Sequence, residues 1–85
     1  MNRNEACALV DAELDRAIKK FPPMASAHDG YAIILEELDE LWECVKMKNV
    51  PGNQPREDGM RKEAIQVAAM AIRFLVDVGI GPLKD

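Results

Sequence analysis

Between Ala64 and Val78 the chain is apolar around nearly the whole circumference of the helix it would form. Ala64, Ile65, Val67, Ala68, Ala69, Met70, Ala71, Ile72, Phe74, Leu75, Val76 and Val78 leave only Gln66, Arg73 and Asp77 to break the cylinder. A helix of this kind must be surrounded. An 85-residue chain makes one small domain that buries only a modest share of its surface alone, and two further helices cannot wrap a third. A partner subunit is therefore expected. A membrane is not, because Gln66 and Arg73 interrupt the run well short of a span.

The rest of the pattern is helical too. Ala6, Val10, Leu14, Ala17 and Phe21 recur at steps of three and four and predict a first helix over residues 4–20, stopped by Pro22 and Pro23. Ser26 predicts an N-cap, with Asp29 reaching back in a variant of the capping box. From there Tyr31, Ile34, Leu38, Leu41 and Val45 form a packing seam on a second helix that should run to about residue 48. Two prolines and a glycine predict a loop over residues 49–55. The third helix is expected from residue 58 or 60 to residue 78, ended by Gly79, Gly81 and Pro82. No segment alternates with period two, so strands are excluded. The expectation is a single all-α domain over residues 1–85: a three-helix chain forming an intersubunit helical bundle.

Charge narrows the partners. A net charge of −4 and a pI near 4.9 argue against a protein that neutralises nucleic-acid phosphates over a broad basic surface. Cys7 and Cys44 form no CxxC or Cys/His cluster and read as reduced thiols of a cytoplasmic protein. The N-terminal segment carries Glu5, Asp11, Glu13 and Asp15 and no apolar core, so no signal peptide is expected.

The chemistry concentrates on the second helix, where Glu36, Glu37, Asp39, Glu40 and Glu43 crowd into one short stretch. At 100° per residue Glu36, Glu40 and Glu43 lie opposite the seam and Glu37 lies beside it, one turn from Glu40. Glu37 is expected to be partly buried. Like charges at these spacings repel, and Lys46 and Lys48 answer them only in part, so another cation is called for. A hard divalent cation takes carboxylate oxygens, water and substrate phosphates, and an i, i+3 pair such as Glu37 and Glu40 presents two carboxylates to one point. Glu63 and Gln66 are again three apart and, with Met70, Arg73 and Asp77, form a stripe on the third helix. Antiparallel packing would bring its start towards the middle or end of the second helix. The plainer alternative is that both stripes are solvated faces.

The string Glu36-Glu37-Leu38-Asp39-Glu40, an EExxE motif, followed after 22 residues by Glu63 opening an ExxD-like element, resembles the MazG-like all-α nucleoside triphosphate pyrophosphohydrolases. The strings His28-Asp29-Gly30-Tyr31-Ala32 and Glu63-Ala64-Ile65-Gln66-Val67-Ala68-Ala69 are similar to those of a small MazG-related group of phages and bacteria, and the likeness spans residues 26–78. It implies cleavage between the α and β phosphates to give a nucleoside monophosphate and pyrophosphate, with Mg²⁺ or Mn²⁺ as cofactor. It also implies a homodimer or tetramer built on a shared bundle. By this resemblance Glu36, Glu37 and Glu40 are the catalytic acids, and the metal is held by them with Glu63 and Gln66. Gln66 stands where the family has an acid and offers a carbonyl oxygen without charge. Either Glu43 or another acid compensates, or metal binding is weaker, or nucleotide is bound without turnover. The rival reading is a noncatalytic nucleotide-binding or interaction module on the same scaffold.

The remaining conspicuous residues have structural readings beside functional ones. His28 is read as solvated or structural, and Trp42 as packing rather than base stacking. Lys62 and Arg73 could meet phosphates, although Arg73 can equally pair with Asp77. Met24, Met47, Met60 and Met70 read as packing residues. A ferritin-like di-iron site needs Glu-x-x-His on two helices, which neither has.

Overall fold

The computed structural model describes residues 1–81 and is all-α: α1 (Arg3–Lys20), α2 (Ala27–Val45) and α3 (Gln54–Asp77), with no strand among the described residues. Pro82, expected to help stop the third helix, lies outside them. Among the described residues no helix is long and apolar enough to cross a membrane.

Each helix begins where a side chain can answer its free amides. Asn2 and Glu5 form a reciprocal capping box on α1, with Glu5 N–H donating to Asn2 Oδ1 at 2.9 Å. Ser26 Oγ accepts from Asp29 N–H at 3.1 Å, while Asp29 Oδ2 reaches one residue further back than in the usual box, to Ala25 N–H at 2.9 Å. α3 starts earlier than residue 58 or 60. Asn53 is its N-cap, and Pro55 sits in the first turn, where its missing N–H has no partner to lose. α2 ends at Val45, short of residue 48, because Arg56 Nε and Nη2 donate to the Val45 carbonyl and tie the stop to the start of α3.

α3 is the hub. α1 and α2 both pack on it and not on each other. The α2–α3 pair is antiparallel: Gly30 meets Phe74, Glu37 meets Gln66 and Cys44 meets Gly59. Two glycines set how closely these helices approach. A Cβ on Gly30 would fall 2.6 Å from Phe74 Cδ2, and one on Gly59 would fall 2.5 Å from Cys44 Sγ.

Arg73 holds the other contact together. Only 4% exposed, it donates from Nε to Asp77 Oδ2 at 2.8 Å, from Nη1 to the Ala17 carbonyl at 3.1 Å, and from Nη2 to the Phe21 and Pro22 carbonyls, each at 2.9 Å. Asp77 Oδ2 also accepts from Met24 N–H at 3.0 Å. That backbone bond and the guanidinium hold the Asp77 carboxyl below its usual range. One buried ion pair thus fastens the end of α1 and the Pro22-Pro23 turn to α3, and it uses four of the five Arg73 N–H donors, which argues against a phosphate-binding role.

The polar stripe of α3 therefore faces inward and much of its apolar surface faces out. Glu63, Ala69 and Arg73 are buried, whereas Ile72, Leu75 and Val76 are exposed. α2 shows the same inversion. Its inner face is Gly30, Ile33, Ile34, Glu37, Leu41 and Cys44, while Tyr31, Leu35, Leu38, Trp42 and Val45 form an outward stripe at alternating steps of four and three. Of the seam read from sequence, only Ile34 and Leu41 turn inward. Trp42 is 58% exposed and Tyr31 64%. The chain exposes 6380 Å², against about 5000 Å² for a compact monomer of this mass. Its Cα radius of gyration is 14.5 Å, where about 12 Å is usual for the length.

Candidate functional site

The inner face of α2 carries one ionisable side chain in its middle, Glu37. It lies two turns beyond Gly30, so the close approach at Gly30 carries Glu37 against α3, where Glu63 is only 8% exposed. Glu40, one turn on, reaches round from the exposed flank. Carboxylate oxygens of Glu37, Glu40 and Glu63 all lie within 4.8 Å of one another. None of the ion pairs among the described residues involves these three.

Crowding shows in their acidity. Burial, then contact with Glu63 and the charge of Glu40, pushes the Glu37 carboxyl up from 4.5 to about 7. Glu40 is raised as well, chiefly by sharing a hydrogen bond with Glu63. Gln66 stands beside this group. With its amide nitrogen turned to the carboxylates it donates to Glu37 Oε2 at 2.5 Å and Glu63 Oε2 at 3.1 Å. A neutral donor at this point relieves some of the repulsion without adding charge.

The sequence-derived candidates fall into two sets. Glu37, Glu40, Glu63 and Gln66 come together. Glu36 is exposed on the far side of α2 and is outside the cluster, as is Glu43, which pairs with Lys46 at 2.9 Å. His28 is exposed in the first turn of α2, nine residues and hence about 13 Å of helix from Glu37.

One acid was not anticipated. Glu13 of α1 lies close to Gln66 and Lys62 and borders a small cavity together with Glu37 and Gln66. Two bonds from Arg16, Nε to Glu13 Oε2 at 2.8 Å and Nη2 to Oε1 at 2.5 Å, hold its carboxyl below the usual range. Its signal was positional. Glu13 falls at steps of four and three with Ala6, Val10 and Ala17, a seam position on which a charged residue must meet something polar.

Three oxygens from two helices suit a hard cation better than a soft one. Ligand oxygens around Mg²⁺ stand about 3 to 4 Å apart, so small rotamer changes, mostly of exposed Glu40, would close the set. The chain matches no protein-family model, no curated protein and no solved structure.

Proposed function

We propose that the chain is a self-associating, metal-dependent nucleoside triphosphate pyrophosphohydrolase. The observation that carries this reading is the meeting of Glu37, Glu40 and Glu63 across α2 and α3 with no cationic side chain among the described residues paired to them. Crowding three carboxylates costs stability, and a site that binds Mg²⁺ or Mn²⁺ recovers that cost on binding. The resemblance of the Glu36–Glu40 and Glu63–Gln66 strings to MazG-like enzymes supports the same substrate class.

Glu37, Glu40 and Glu63 would hold the cation, with the Gln66 amide steering the Glu37 and Glu63 oxygens. A bound divalent cation supplies Lewis acidity, drawing charge from phosphate oxygens. The chain's own share is positioning and proton transfer. A carboxylate of the cluster takes the proton as water oxygen bonds to the α-phosphorus, and the α–β bridging oxygen leaves with pyrophosphate.

Self-association is supported by the outward apolar stripes of α2 and α3 and by surface in excess of a compact monomer by more than the roughly 800 Å² per partner of a standard interface.

The test is release of pyrophosphate from a panel of ribo- and deoxyribonucleoside triphosphates with Mg²⁺ or Mn²⁺. Release by wild type and its loss in Glu37→Gln and Glu40→Gln is the expected result; no release from any substrate overturns the catalytic reading. One observation favours the second reading, a nucleotide-binding or interaction module without turnover. Gln66 donates its amide into the group of carboxylates where the resembled family has an acid. That reading predicts nucleotide affinity with no product.

A further inference from the structure

Glu37 borders two of three cavities that lie in series. On one side a recess of about 360 Å³ is walled by the Phe21-Pro22-Pro23-Met24 turn and Met70, with Asp29 and Glu37 also lining it. On the other a cleft of about 720 Å³ runs between α1 and α3. A connecting cavity of about 150 Å³ shares Phe21, Glu37 and Met70 with the recess, and Glu13, Arg16 and Gln66 with the cleft. The three form one trough.

Its two ends differ in chemistry. The α1–α3 cleft carries Arg16, Lys20, Arg61 and Lys62 against Glu13 and Asp58, a local surplus of positive charge on a chain whose net charge is −4. Arg16 and Arg61 are bonded to Glu13 and Asp58, whereas Lys20 and Lys62 make no ion pair among the described residues. Lys20 Nζ lies 5.4 Å from the centre of the Phe21 ring, so cation and aromatic face adjoin where the trough turns. The recess offers the half-exposed Phe21 ring, two prolines and two methionines. An apolar hollow with a few polar groups suits a planar base, and a cationic cleft suits phosphates.

We propose that a nucleoside polyphosphate lies along this trough, with its base in the recess beside Phe21 and its phosphates in the α1–α3 cleft at Lys62, Lys20 and Arg16. The reverse orientation would press phosphates against Asp29, Glu37 and an apolar wall, where the one cation among the described residues, Arg73, is already bonded to Asp77 and three carbonyls. The substrate class rests on the proposed function, but the orientation rests on the trough and not on metal binding.

Calorimetric titration with inorganic tripolyphosphate, at low salt and without divalent cation, tests the phosphate end. Wild type binds, and Lys20→Glu/Lys62→Glu weakens binding about tenfold or more, since two positive charges become negative. Phe21→Ala tests the other end: it leaves tripolyphosphate affinity within about twofold and weakens the best-bound of four nucleoside triphosphates about fivefold. All three side chains are exposed, and circular dichroism checks that the variants fold. Failure of wild type to bind tripolyphosphate, indifference of the double lysine variant, or equal loss of both ligands in Phe21→Ala overturns the proposal. Mn²⁺ binding followed by electron paramagnetic resonance in the same proteins separates the two readings. Tripolyphosphate binding without Mn²⁺ binding sinks the metal centre and leaves the trough standing; the converse sinks the trough alone.

Discussion

Replacing Glu37 by glutamine should stabilise the protein in the absence of metal and, if the proposed metal site holds, remove its response to metal. Its carboxyl, raised from 4.5 to about 7, binds a proton more tightly folded than unfolded. Stability from this group is complete below about pH 4.5, declines as pH rises to about 7, and stays low above that. A gap of that width corresponds to at most about 3–4 kcal/mol. Glu37 is partly open to solvent and shares its repulsion with Glu40 and Glu63, so about 1–2 kcal/mol is the working figure. Glutamine keeps the shape, accepts from Gln66 through its carbonyl and can donate to Glu63. Thermal melts in EDTA, at fixed protein concentration, should place Glu37→Gln above wild type by roughly 5–15 °C at pH 8 and level with it near pH 4.5. Millimolar Mn²⁺ should raise the wild-type Tm and leave the variant unmoved. Because the cation displaces the Glu37 proton, wild-type affinity should climb with pH up to about 7 and level off. A variant no more stable than wild type at pH 8 would refute the claim that the carboxylates are held together against their own repulsion.

Arg73→Met should cost about 3–5 kcal/mol in denaturant melts, because Asp77 and three carbonyls lose their donor in a buried setting, and Arg73→Lys should not rescue it since one ammonium cannot replace the guanidinium fork. Gly30→Ala should destabilise by about 1–3 kcal/mol despite alanine's better helix propensity, because its Cβ meets Phe74 at 2.6 Å; a gain in Tm would contradict this. If the proposed self-association holds, wild type is an oligomer in light scattering and Leu38→Glu/Trp42→Glu should make it a monomer with helical content kept, as both side chains are exposed within one subunit; a monomeric wild type would refute the proposal. An unchanged oligomer would place the interface elsewhere.

Sequence alone settled the class of the fold, because period-three-and-four apolar spacing and proline-marked breaks are local facts about one chain segment. It also grouped Glu36, Glu37, Glu40, Glu63 and Gln66, of which all but Glu36 come together, because antiparallel packing brings the start of α3 to the middle of α2. Boundaries were less legible. Pro55 looked like an obstacle to α3 and proved part of its first turn once Asn53 served as cap. The direction in which each helix faces was legible only in part: Glu37, Ile34 and Leu41 turn inward as expected, but the rest of the α2 seam faces out. Tyr31, Leu38 and Val45 fit an apolar seam as well as Ile33 and Ile34 do, and the close approach of Gly30 to Phe74 and of Gly59 to Cys44 goes with a rotation of α2 that turns the former three outward. Glu13 entered the site for the same reason, through packing of α1 on α3. A helix's periodicity defines which residues share a face, but which face is buried depends on what the neighbouring helix can accommodate, and that is a property of the tertiary contact.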